Sequence, residues 1–287
     1  MSAPSDSLPV QVDPSIPATA VHRRLSRAVV ATLAIGGYMA LGFALGLSAN
    51  GYLLLGIPIT IAFQSLVARR PLRALWLRDA PAMPVTARSV VAVIVVAVAP
   101  AIVAFGGVRD GDIVLATYGL AAMIGAVGAI YALRAMTRDA VRVTVRASLI
   151  NGAILVAVMV VFRLTFGGFH GNLGGAVATA AISVATYLPV VFVMEEVLFR
   201  GLLDPYLLGS TDERDRASAL YGSALWGLWH LPVMSVDLGP VTIPYLVGVH
   251  TALGYVLVRS WRRTGNLAAP GVAHAVADAL RNAVAVL

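Results

Sequence analysis

Apolar runs of roughly 20 residues, joined by short polar stretches, dominate the chain. An α-helix needs about that length to cross ~30 Å of hydrocarbon. The runs predict nine segments, at roughly 27–47, 51–68, 88–106, 112–134, 147–165, 174–199, 217–233, 240–259 and 266–286. The seventh is short, and the ninth carries His274, Asp278 and Arg281, so eight or nine spans are expected. A membrane β-barrel would alternate apolar and polar positions over ~10-residue segments, which these runs do not do. The expected architecture is therefore all-α, a polytopic transmembrane helical bundle.

Composition narrows this further. Charged types make up 12% of the chain and hydrophobic types 59%. Soluble domains carry about 25% charged residues, so a water-facing globule is excluded, and so is a disordered chain. The net charge of +7 comes from arginines in clusters. These fall at Arg23/Arg24/Arg27, Arg69/Arg70/Arg73/Arg78/Arg88, Arg134/Arg138/Arg142/Arg146, Arg214/Arg216 and Arg259/Arg262/Arg263. The loops between them are nearly uncharged. Such alternation predicts a multi-pass protein of the cell's inner (cytoplasmic) membrane with a cytoplasmic N-terminus. No soluble basic module is present to bind nucleic acid. The chain has no cysteine, which removes disulfides, thiolate nucleophiles and thiolate-held zinc. Residues 1–25 are polar and Pro/Ser-rich and read as a disordered cytoplasmic tail, not a signal peptide. Two further stretches follow: N-terminal transmembrane helices over 26–165 and a polar-bearing helical core over 170–287.

Ionisable groups within membrane spans are costly and mark candidate sites. The first five segments hold almost none, whereas the last four hold Glu195, Glu196, Arg200, His230, His250, His274 and Asp278. In VMEEVLFRG, Glu196 and Arg200 lie at i, i+4 and share a helix face; Glu195 is turned about 100° away and is free to face a cavity. In ALWGLWHLP, Trp226 and His230 have the same spacing, as do His274 and Asp278 in APGVAHAVADALRN. Carboxylates and histidines on neighbouring helices suit polarising a water for attack on a carbonyl. The same donors suit a divalent metal such as zinc, which Glu195, His230 and His274 would hold. Spacing does not choose between a metal and none.

EEVLFR matches EExxxR, WGLWH matches aromatic-xxx-His, and HAVAD matches HxxxN with an aspartate in the last place. In this order on late membrane helices, the motifs resemble the CPBP family, which includes type II CAAX prenyl endopeptidases and bacterial Abi (bacteriocin-processing and self-immunity) proteins. The resemblance spans roughly 170–287. It implies an intramembrane endopeptidase, of glutamate or metallo type, that hydrolyses a peptide bond near the membrane surface. Glu195 would be the general base, His230 would assist it, and His274 with position 278 would stabilise the oxyanion. Glu196 and Arg200 would hold the site together. The expected partners are the lipid bilayer and a membrane-associated peptide or protein substrate.

Two positions depart from the family pattern. Asn donates hydrogen bonds, whereas ionised Asp only accepts them, so Asp278 better suits orienting His274 than binding an oxyanion. Asn282, one turn further along the same face, is a substitute donor. Trp226 stands where Phe is usual and fills space beside His230. His250 matches no motif and is expected to be a packed histidine hydrogen-bonded to a neighbouring helix. Asp278 also suits an alternative, a catalytically silent membrane scaffold or bacteriocin-immunity protein of the same fold. A transporter using these charges as an ion relay should show matching charges in both halves, and the N-terminal half has none.

Overall fold

In the computed structural model the described residues are 18–83, 85–209, 214–233 and 242–287. The tail expected over 1–25 falls for its larger part on residues 1–17, and the outer loop around 235–240 falls on 234–241; both lie outside the described residues. Ten α-helices and no strand are found among the described residues. They are α1 (Ala18–Ala44), α2 (Ala49–Ala62), α3 (Ala87–Asp110), α4 (Ile113–Arg134), α5 (Arg138–Phe166), α6 (Leu173–Val191), α7 (Asp204–Leu208), α8 (Arg216–Trp229), α9 (Thr242–Thr264) and α10 (Ala268–Ala285).

Short polar residues fix where the apolar runs become helices. Ser48, Thr86, Asp112, Thr137, Asn172 and Asp215 each cap a helix by accepting a backbone N–H of its first turn. Thr86 and Ser89 form a reciprocal capping box on α3. Gly111 closes the same helix in the left-handed conformation, at φ 72°, which a glycine adopts without steric cost.

α3 turns Val91, Val95, Ile102 and Phe105 outward, all more than half exposed. In water such a stripe would be an aggregation surface; against acyl chains it is the lipid-facing wall. α10 lies at the centre, packed along α5 and α6. Ala273, Ala275, Ala277 and Ala279 are buried there, and their small side chains let neighbouring backbones approach closely.

Among the described residues, six helical stretches are long and apolar enough to cross a membrane: Val21–Ala44, Ala49–Val67, Ala87–Asp110, Ile113–Arg134, Arg138–Phe166 and Leu173–Val191. By this measure the eight or nine expected spans are not reached. α8 has 14 residues, ~21 Å of helix, which falls short of the bilayer. α9 ends in Arg259, Arg262 and Arg263, and α10 carries His274, Asp278 and Arg281, so charge lowers their apolar character.

The sixth segment also differs from its expected bounds of 174–199. α6 stops at Val191, just after Pro189, whose ring and missing N–H disrupt a helix interior. Phe192–Met194 form a turn, and the helix resumes at Glu195. The turn is held from outside. The indole of Trp76 donates to the Phe192 carbonyl at 2.8 Å. Gly128 makes room for that indole, since a Cβ there would sit 2.2 Å from Nε1.

Candidate active site

Glu195 and Glu196 restart the chain after the break and lead into a π-helical turn, Val197–Leu203, before α7. Wide turns of this kind recur at functional sites, where they redirect side chains. Here consecutive residues take opposite roles. Glu196 is 0% exposed; its Oε1 accepts from Arg200 Nη1 at 3.0 Å and from His274 Nδ1 at 2.8 Å. Glu195 instead faces a cavity of about 470 Å³ that also takes in Trp226, His230, His250, His274 and Asp278.

α8 presents Trp226 and His230 one turn apart. The indole Nε1 of Trp226 donates to Glu195 Oε2 at 3.3 Å. His230 donates Nδ1–H to the Trp226 carbonyl at 2.8 Å, which in the neutral ring leaves Nε2 as an acceptor. That nitrogen lies 3.6 Å from Glu195 Oε2. Two acceptors thus face each other at a spacing that one water can bridge by donating to both. Trp226 is the hub: its ring centroid is 5.3 Å from His230, 4.9 Å from His250 and 5.2 Å from His274. On its face lies Arg200, with Cζ 4.2 Å from the centroid, so the guanidinium combines an ion pair with a cation–π contact.

α10 supplies His274 and Asp278. With Nδ1 on Glu196, His274 turns Nε2 towards Asp278 Oδ2 at 3.4 Å. Asp278 Oδ1 accepts from Arg281 Nη1 at 3.1 Å. A ladder of polar contacts therefore runs Arg200, Glu196, His274, Asp278, Arg281. Breaking a buried ion pair by removing one partner costs ~3–5 kcal/mol, which fixes the inner members of this ladder in place.

The N-terminal helices brace α8 from behind. Tyr52 donates to the carbonyl of Trp229 at 2.9 Å, and Tyr38 donates to the carbonyl of Tyr52 at 2.7 Å. At the other end of α8, Arg262 of α9 grips Asp204 with Nε at 3.0 Å and Nη2 at 2.5 Å, and reaches the Asp215 carbonyl at 2.6 Å.

Five of the site residues anticipated from sequence therefore border one cavity: Glu195, Trp226, His230, His274 and Asp278. Glu196 and Arg200 lie directly behind them. Asn282 is placed elsewhere; its Nδ2 donates to Ser183 Oγ at 3.2 Å and its Oδ1 accepts from Arg281 Nε at 3.2 Å. His250 also borders the cavity, its ring 4.1 Å from that of His230, and its Nδ1 donates to Leu246 O of its own helix. The neighbouring-helix partner expected from sequence is not the one it takes. No set of three His, Asp or Glu side chains among the described residues converges as metal ligands would.

The fold and cavity define a multi-helix membrane protein whose last helices carry a carboxylate–histidine centre, with α2 and α5 completing the cavity wall. Residues 177–280, from α6 into α10, match the model of a protease family, the type II CAAX prenyl endopeptidases described as Rce1-like. That segment is thus similar to the CAAX-type proteases of the CPBP family. No curated protein and no solved structure matches the chain.

Proposed function

We propose that this protein is an intramembrane endopeptidase that hydrolyses a peptide bond with a water held between Glu195 and His230. The observation that carries this is the pair of facing acceptors, Glu195 Oε2 and His230 Nε2, 3.6 Å apart on the cavity wall. A water donating one O–H to each keeps a lone pair for the substrate carbonyl. On attack, the carbon–oxygen bond forms and Glu195 takes the water's proton. When the tetrahedral intermediate collapses, the carbon–nitrogen bond breaks and Glu195 returns that proton to the leaving amine. His230 orients the water through its fixed tautomer. Glu196, on Arg200 and His274, holds the surrounding charges.

The cationic clusters on alternate loops support a cytoplasmic N-terminus in a cell's inner membrane. His274 lies ~9 Å along α10 from its start at Ala268, close in sequence to the arginine cluster at 259–263, which favours substrates cut in the cytoplasmic half of the bilayer. Every step of this proposal uses the chain's own residues, and a chelator separates it from a metal-dependent reaction. The test pairs the wild type with Glu195→Gln in detergent, using a quenched library of membrane-proximal peptides. Cleavage by the wild type and not by Glu195→Gln is expected, and a chelator is expected to leave the rate unchanged. Equal cleavage by both would remove Glu195 from the mechanism.

A further inference from the structure

Asp278 occupies the place where the resembled pattern has a neutral amide donor. A carboxylate here adds negative charge beside Glu195 and Glu196, and it is 7% exposed. Uncompensated, such a charge is strongly unfavourable at so buried a position. Arg281 supplies the compensation, with Nη1 3.1 Å from Asp278 Oδ1. It lies three residues further along α10, just past the segment matched by the family, and lines the same cavity. An i, i+3 ion pair is ordinary on a helix surface, where it contributes a few tenths of a kcal/mol. This one differs because its acid is buried and its second oxygen faces His274 Nε2 at 3.4 Å. The guanidinium is also held by Nε on Asn282 Oδ1, which in turn is tied to α6 through Ser183.

We infer that Arg281 is the positioning residue that makes an aspartate workable at position 278: it neutralises Asp278 and aims its second oxygen at His274. The inference rests on the hydrolytic reading of the cavity. It explains how two departures from a neutral amide, a lost donor and an added charge, coexist with an intact constellation. Arginine at 281 and aspartate at 278 then form one unit. An asparagine at 278 would accept from His274 through its own Oδ1 and would not need the counter-charge.

The test is a double-mutant cycle on the full chain in detergent: wild type, Arg281→Gln, Asp278→Asn and the double variant. Each is assayed on the quenched peptide library and melted in the same detergent. Coupled groups usually show interaction energies equivalent to a few-fold up to ~100-fold. Arg281→Gln is expected to lower kcat/KM about tenfold or more, and Asp278→Asn is expected to restore most of that loss in the double variant. Arg281→Lys, which keeps the charge, is expected to retain more activity than Arg281→Gln. Losses that simply multiply would overturn the inference, as would an Arg281→Gln enzyme with wild-type kcat/KM. A wild type that cleaves none of the peptides counts against the hydrolytic reading. The pair is then judged on melting alone, where coupled shifts support it and additive shifts overturn it.

Discussion

Trp226 donates its indole N–H to Glu195 Oε2 at 3.3 Å, a bond that the phenylalanine usual at this place could not make. The exchange of Phe for Trp thus adds a tether to the candidate base as well as bulk. Hydrogen bonds to charged groups contribute ~1.5–3 kcal/mol. Trp226→Phe is therefore expected to lower kcat roughly tenfold or more with a smaller change in KM. Steady-state kinetics on a cleaved peptide would check this, and an unchanged kcat would make the tether irrelevant.

The break after α6 depends on Trp76. Trp76→Phe leaves the Phe192 carbonyl without its donor, at a cost of ~1–3 kcal/mol, and loosens the turn that aims Glu195. The melting temperature and the cleavage rate should fall together. Gly128→Ala should act in the same direction by displacing the indole, so two substitutions on different elements should share one phenotype.

The pair of Glu196 and Arg200 separates folding from chemistry. Arg200→Ala strands a fully buried carboxylate and is expected to cost ~3–5 kcal/mol in stability. Combining Arg200→Met with Glu196→Gln removes both charges and should recover much of the melting temperature. It should not recover activity, because His274 then loses the carboxylate that holds its Nδ1. A double variant as active as the wild type would show that Glu196 is dispensable.

Arg262 clamps α9 to the start of α8. It joins Asp204 in a fork and also reaches Asp215 and Ser218 at the start of α8. Lysine carries the charge but not the fork. Arg262→Lys is expected to destabilise by several kcal/mol, nearly as much as Arg262→Ala, since neither holds three acceptors at once. Thermal melting of the two variants side by side tests this.

Much of the helical order is visible in the chain before any folding. The first five apolar segments reappear as α1 to α5 because long apolar runs and their caps are local signals. The end of α6 is not visible in hydropathy, since VVFVM continues the apolar run through the turn; only Pro189 marks it. The spacing of Glu196 and Arg200 foretells their pairing, and a fourfold spacing brings His274 and Asp278 together. The place of His250 is not legible in this way. Its neighbour, His230, is on another helix, and no spacing along one chain encodes a contact between two. Arg281 is legible at i, i+3 from Asp278, yet nothing in that spacing says that its partner is buried, which is what gives the pair its weight.

The enclosed break in α6 also bears on whether the family-matched segment could be transplanted. Residues 177–280 do not close their own polar backbone. The Phe192 carbonyl is taken by Trp76, the Trp229 carbonyl by Tyr52, and the Leu267 N–H by the Trp76 carbonyl. Each of these partners lies in the first third of the chain, on α2 or in the segment before α3. In hydrocarbon every such group left open costs several kcal/mol. The matched helices are consequently the interior of a larger object rather than a cassette, and a chain shortened to begin at α6 would not hold Glu195 where it now stands.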